Sequence, residues 1–221
     1  MTIISPTDPR ISAKAAYADE EINNPTFELA RFADQVFAAD SKSELLVVST
    51  YDDVEEKGWF ARWDAALGGR ITKTCQERNF ASALGEHLLV DVTDAAAGGA
   101  RKYVLVVGMG SITAQESRMN CGLYKLALET AESLGVERLL LPFFPDRSKL
   151  SAIAVGSSIA VLRCRVGESM LRGRIKHLKT IKLLVSGQAA NAALRGLSSR
   201  KEAFCVPCPE PSIVKEKGKS E

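Results

Sequence analysis

The residues in this chain whose types suit them to chemistry are few and spread out. His87 and His177 are its two histidines. A hydrolytic metal centre needs several imidazole or carboxylate ligands converging on an open position. His87 stands where a strand is expected to begin and His177 within a basic run, so both read as ordinary structural or surface histidines. No serine sits in a Gly-x-Ser-x-Gly elbow, and none has a motif that singles it out as a nucleophile. Cys205-Val206-Pro207-Cys208 is a lone Cys-x-x-Cys. A structural zinc site wants a second pair, and a thioredoxin-type motif opens a helix after a strand, so these read as incidental thiols. The sequence therefore assigns no catalytic residue, no metal ligand and no cofactor.

Two groups of residues suit binding. Gly108-Met109-Gly110-Ser111 follows an apolar run and precedes a helix start, a place where backbone N–H groups can hold a phosphate. Thr113 stands where the third glycine of Gly-x-Gly-x-x-Gly would be, so a tight strand-to-helix turn is the simpler reading. In open α/β sheets ligands sit outside the carboxyl ends of strands. Here those ends are Ser49-Thr50-Tyr51, Gly108 to Ser111 and Phe143-Phe144-Pro145-Asp146-Arg147. A ligand edge would thus use Ser49, Thr50, Gly108, Gly110, Ser111, Phe144 and Asp146. The second group is cationic: Arg163, Arg165, Arg172, Arg174, Lys176, Lys179 and Lys182 stand against Glu168 alone in their stretch. Such a run can neutralise phosphates. It carries no aromatic residue for stacking on bases, which disfavours nucleic acid. It reads as a solvated connection or as the contact for an acidic partner.

Several elements must position these groups. Phe27 to Phe32 alternates apolar and polar residues, as a half-buried strand does. Leu45 to Val48 and Tyr103 to Val107 are continuous apolar runs, typical of parallel strands covered on both faces. Leu88 to Val92, Leu139 to Leu141 and Ile181 to Val185 read as further strands. Trp59, Phe60, Trp63 and Leu67 keep helical spacing up to Gly68-Gly69, and Ile71 to Arg78 continues as a second helical piece. Trp59 and Trp63, one turn apart, suit a core or an interface. Thr113 and Glu116 form a capping box. Behind it Met119, Leu123, Leu126, Ala127, Thr130 and Leu134 mark one apolar face, and Gly135 supplies the stop. Ser148 to Arg165 and Ala189 to Leu197 read as the last helices. Cys121 and Cys164 fall in apolar helical patterns and read as small core residues.

Alternation of strands and helices from residue 44 to 197 implies an α/β layered fold with a mostly parallel sheet. Residues 1–25 read as a flexible extension and 200–221 as a disordered tail. The length of 221 residues allows a core that folds without disulfides or metal. Hydrophobic residues make up 46% and charged ones 25%, the balance of a globular chain and not of a membrane or disordered one. A net charge of +2 excludes a dedicated polyanion binder on total charge. Five cysteines, an odd number, behind a start that is no secretory signal imply reduced thiols and a cytoplasmic location.

Taken in order, several of these stretches resemble the N-terminal domain of leucyl aminopeptidases. They are Trp63-Asp64-Ala65-Ala66-Leu67-Gly68-Gly69, Gly85-Glu86-His87-Leu88-Leu89-Val90 and Arg101 to Gly110 with its Val-Leu-Val-Val-Gly-Met-Gly ending. The likeness spans roughly residues 27–197 and implies a three-layer α/β/α, macro-domain-like fold over 26–199. The family's two-metal peptidase signature, Asn-Thr-Asp-Ala-Glu-Gly-Arg, has no counterpart here. The resemblance therefore implies a non-catalytic assembly or regulatory module that self-associates or binds a protein partner. It also leaves open a piece of a longer metal-dependent aminopeptidase. Macro domains bind ADP-ribose at the strand-end edge, so a small nucleotide-like ligand is the alternative. The chain has Ser49-Thr50-Tyr51-Asp52-Asp53 where that class carries an Asn-rich loop, and Phe143 to Asp146 in place of its Gly-rich loop.

Overall fold

The computed structural model describes residues 25–31, 42–53, 58–94, 100–112, 119–142, 152–185 and 189–198. Eleven elements follow one another along them: β1 (Thr26–Arg31), β2 (Glu44–Thr50), α1 (Trp59–Ala66), α2 (Arg70–Glu77), β3 (His87–Asp91), β4 (Lys102–Gly108), α3 (Met119–Leu134), β5 (Arg138–Pro142), α4 (Ala152–Leu171), β6 (Thr180–Val185) and α5 (Ala190–Ser198). The strands form one sheet in the order β1-β6-β5-β2-β4-β3. All neighbours are parallel except β3, which runs antiparallel along β4 at one edge.

The pleat sorts the apolar residues into two cores. Leu45, Val47, Leu105, Val107, Leu139, Leu141, Ile181 and Leu183 point to one face and pack under α3, α4 and α5. Leu46, Val48, Val104, Val106, Leu140 and Leu184 point to the other and meet Trp63 and Ile71 of α1 and α2. Successive residues of a strand face opposite sides, so an unbroken apolar run is what a strand covered on both faces requires. This gives helix, sheet and helix layers, and the expected α/β/α architecture is the one observed.

Local chemistry joins α1 to α2. The Asp64 carboxylate accepts the N–H groups of Ile71 (2.9 Å) and Thr72 (3.2 Å), and the Thr72 hydroxyl at 2.5 Å. It thereby satisfies donors that the first turn of α2 leaves without helical partners. Trp63 is buried, with its ring centroid 6.4 Å from that of the half-buried Trp59.

Three expectations need correction. α4 runs on to Leu171 instead of stopping at Arg165, because Leu162, Val166 and Met170 bury one helical turn apart. The buried face of α3 is Asn120, Cys121, Leu123, Tyr124, Ala127, Leu128 and Ala131, which leaves Met119, Leu126, Thr130 and Leu134 only partly covered. Cys121 is a core residue as expected, but Cys164 is only partly buried. The capping box of Thr113 and Glu116, the helix start at Ser148, the extension before residue 25, the tail over 200–221 and Cys205 with Cys208 lie outside the described residues. No helix among the described residues is long and apolar enough to cross a membrane.

Candidate functional site

Parallel pairing of β2 with β4 runs in register from Glu44 opposite Lys102 to Thr50 opposite Gly108. The carboxyl ends of the two strands therefore finish side by side. Ser49, Thr50, Gly108, Gly110 and Ser111, far apart in sequence, meet at one edge of the sheet. The Met109 N–H donates to the Thr50 carbonyl (2.8 Å), and the Asp52 N–H to the Gly110 carbonyl (3.2 Å). Phe144 and Asp146 lie outside the described residues.

The turn at this edge keeps its donors for the protein itself. Asp53 reaches across from the end of β2: its Oδ2 accepts the Ser111 hydroxyl at 2.5 Å, and its two oxygens accept the Ile112 N–H at 3.0 and 3.2 Å. The Ser111 hydroxyl and then the Ile112 N–H hold the Asp53 carboxyl below the usual aspartate range. From the other side comes the loop between α2 and β3. The Gly110 N–H donates to the Ser82 carbonyl (2.9 Å), the Gly108 N–H to the Glu86 carbonyl (2.7 Å), and the Gly85 N–H back to the Gly108 carbonyl (3.0 Å). That loop is itself braced by Glu86, whose Oε2 accepts the N–H groups of Ala81 and Ala83. So tight is the fit that a Cβ on Gly108 would lie 2.1 Å from the Ala83 carbonyl oxygen.

Gly108 to Ser111, read from the sequence as a tight strand-to-helix turn with a phosphate cradle as the alternative, directs most of its backbone donors to protein acceptors. The N–H groups of Gly108, Met109, Gly110 and Ile112 all donate to protein acceptors, the last of them to the carboxylate of Asp53. Asp53, Ser82 and Glu86 are the functional groups of this edge that single-residue reasoning missed. Asp53 directly follows β2 in the run Ser49 to Asp53, but nothing in the sequence shows that it faces Ser111. One polar atom at the edge stands out: Thr50 is 3% exposed, and its hydroxyl has no hydrogen-bond partner among the described residues. A buried hydroxyl left so costs about 1–3 kcal/mol.

The basic run looks different once folded. Carboxylates from sequence-distant elements meet it: Arg174 faces Glu129 (3.6 Å), Lys179 faces Glu137 (2.6 Å) and Lys182 faces Glu28 (3.7 Å). Arg165 and Arg172 both pair with Glu168. Arg165 also donates to Cys121 Sγ (2.8 Å), and Arg163 to the Gly196 carbonyl (3.3 Å). Glu168 is the only carboxylate within the stretch, but the fold adds counter-charge from Glu129 of α3, Glu137 just before β5 and Glu28 of β1. Glu132 accepts the backbone N–H groups of Lys176, His177 and Leu178, and His177 Nδ1 lies 3.2 Å from it.

The remaining candidate nucleophiles and ligands are held apart. His87 is exposed, with Nδ1 3.2 Å from the Gly85 carbonyl. Burial first, then the charges of Asp64 and Glu86, pushes the Cys75 thiol up to about 11, so it stays protonated at neutral pH. Asn120, Tyr124 and Ser158 form a buried polar cluster between α3 and α4, with Tyr124 OH and Ser158 Oγ 2.6 Å apart. Among the described residues no three His, Cys, Asp or Glu side chains converge on one point.

No protein-family model and no curated protein sequence matches the chain. Solved structures do. A tomato leucine aminopeptidase variant aligns with a TM-score of 0.57 at 14% identity, over 80% of this chain and 36% of that one. The chain thus spans about a third of that enzyme's length. The Oceanobacillus iheyensis macrodomain with ADP gives 0.58 at 16% identity, over 80% and 93% of the two chains. The macro domain of ganglioside induced differentiation associated protein 2 gives 0.59 at 11% identity, over 82% and 88%. At such identities the likeness establishes the fold, which is macro-domain-like, and nothing finer.

Proposed function

We propose that this chain is a non-catalytic, macro-like assembly or regulatory module, of the kind found at the N-terminus of leucyl aminopeptidases, that acts by contact with other protein chains. One observation carries the reading: the strand-end turn that would serve a nucleotide phosphate spends its donors on Asp53, Thr50, Ser82 and Glu86 of the same chain. Among the described residues the turn is held from both sides, by Asp53 and by the loop between α2 and β3, which supports a structural joint that leaves contact to the outer faces. A cytoplasmic setting belongs to this reading, supported by the odd count of five cysteines in the sequence. Its test is hydrolysis of a leucyl anilide in the presence of manganese or zinc. The chain is expected to show no turnover, and metal-dependent release of the aniline would overturn the non-catalytic reading and favour a metal-dependent leucyl aminopeptidase.

A second reading is supported by Thr50. Its buried, unpartnered hydroxyl at the end of β2 is the kind of group a polar ligand would satisfy, and a structural neighbour carries ADP. On this reading an ADP-ribose-like ligand binds beside Thr50, and Thr50→Val abolishes that binding while leaving the fold intact.

A further inference from the structure

The sheet has two outer strands, β1 and β3, and they are finished differently. β1 carries a charge within it, Glu28, whose carboxylate lies 3.7 Å from Lys182 of the neighbouring β6. A charge there discourages a further strand from pairing with an edge. β3 reads His-Leu-Leu-Val-Asp and has no charge, proline or glycine at its centre. The ladder shows which of its groups face outward. The Gly108 N–H donates to the Glu86 carbonyl (2.7 Å), and the Val92 N–H to the Lys102 carbonyl (2.9 Å). Glu86 and Val92 thus turn their backbone groups towards β4, and at every second residue between them so do Leu88 and Val90. The N–H and C=O groups of His87, Leu89 and Asp91 turn away from β4, and no strand lies beyond them among the described residues. The side chains of these three share one face of the strand. All three are exposed, Leu89 by 40%, whereas Val90 on the other face is buried in the core under α1 and α2.

The order of these three residues is complementary to itself. A copy turned about a two-fold axis at Leu89 runs antiparallel to the first. Leu89 then comes opposite Leu89 of the copy, and His87 opposite Asp91 at both ends. These are the positions whose backbone groups face outward, so each opposed pair can exchange two N–H···O=C bonds. Side chains directly opposite stand about 4.5–5.5 Å apart at Cβ, within reach of an imidazole-to-carboxylate hydrogen bond. His87 Nδ1 lies 3.2 Å from the Gly85 carbonyl, which leaves Nε2 for the carboxylate. The side-chain and backbone hydrogen bonds of Thr93, then the charges of Arg101 and Arg70, hold the Asp91 carboxyl below the usual aspartate range, so it is ionised at neutral pH. A shift of register by two residues loses both His87–Asp91 pairs, so the match selects one register.

We propose that β3 pairs antiparallel with β3 of a second copy about a two-fold axis at Leu89, so that the two sheets run on as one. This rests on the protein-contact reading above and names the surface and the partner for it. An isologous contact uses every residue twice, so a single substitution is felt at two places. A strand pair this short buries less than about 1,200 Å², the class of weak contacts, and a Kd of about 0.1–1 mM is expected.

Sedimentation equilibrium of the full chain, joined to amide hydrogen exchange read residue by residue by NMR, tests the proposal. The wild type is expected to dimerise reversibly. As it does, the amides of His87, Leu89 and Asp91 should gain protection with protein concentration. Those of Leu88 and Val90, already bonded to β4, should be protected at every concentration. Leu89→Lys sets like charges directly opposite each other and should weaken the dimer about tenfold or more. Continued protection of Leu88 and Val90 in that variant shows that β3 still pairs with β4. His87→Lys, which faces Asp91 of the copy with a cation, should strengthen the dimer, and His87→Asp should weaken it. A wild type that stays monomeric up to millimolar protein overturns the pairing, while the non-catalytic reading is judged separately by anilide turnover. A dimer that leaves the three outward amides unprotected, or protection of them that does not depend on concentration, overturns the assignment of this edge. Both His87 variants shifting the dimer in the same direction overturns the register.

Discussion

Replacing Gly108 by alanine measures how tightly the strand-end turn is held. The added Cβ would meet the Ala83 carbonyl oxygen at 2.1 Å and the Ser82 carbonyl carbon at 2.6 Å. Both contacts are backbone atoms, which cannot rotate away as the tip of a side chain would. The loop between α2 and β3 must therefore move back by roughly an ångström, the gap to a normal van der Waals distance. That movement breaks the hydrogen bonds of Gly85 to Gly108, Gly108 to Glu86 and Gly110 to Ser82. At about 1 kcal/mol net for each bond, with about 1–2 kcal/mol for the residual crowding, the loss is about 4–5 kcal/mol. Gly135→Ala is the control. Gly135 has φ +64° and nothing within 4 Å of its would-be Cβ, so only backbone strain of about 1–2 kcal/mol applies. Urea unfolding of both variants reads the difference. A Gly108→Ala protein within about 1 kcal/mol of wild type, or less damaged than Gly135→Ala, would refute the close approach and the closed turn with it.

Further outcomes follow from the ion pairs. Glu44 is fully buried at the start of β2, and Lys102 on β4 (2.9 Å) and Arg138 on β5 (3.1 Å) bond its two oxygens from either side. Glu44→Ala removes the carboxylate that two largely buried cations share and should cost about 3–5 kcal/mol in thermal or urea unfolding. Asp53 has a lowered folded pKa, so its contribution is present above the usual aspartate range and is lost as pH falls through the folded value. Protection of the Ile112 amide in hydrogen exchange, corrected for the intrinsic rate, should accordingly decline only at strongly acidic pH. In Asp53→Asn that acid-dependent loss should disappear.

Much of the scaffold was legible in the sequence, and the reasons are local. Leu45 to Val48 and Val104 to Val107 can hide every side chain only in a strand covered on both faces, and both are central strands. Gly68-Gly69 marked the break between α1 and α2 because two glycines oppose helix continuation. The end of α4 was missed although Leu162, Val166 and Met170 keep its period, because Gly167 and the cations around it look like a loop. The face of α3 was misplaced because Asn120, Tyr124 and Ser158 bury their polar atoms against each other, and binary patterning assigns such residues to the surface. The candidate site was half legible. The rule that ligands sit at the carboxyl ends of parallel strands groups Thr50 with Gly108, but Asp53 lies 58 residues from Ser111 in sequence, and no periodicity connects them. The counter-charges of the basic run were invisible for the same reason, Glu132 lying more than 40 residues from the backbone it holds.

The reading of this chain as a protein-contact module stands on a turn already filled by its own groups, and calorimetric titration of ADP-ribose into the full chain tests that most directly. Flat heats at millimolar ligand are the expected result. Saturable binding, weakened by Thr50→Val and strengthened when Asp53→Ala removes the resident carboxylate, would contradict it and make the strand-end edge a nucleotide site.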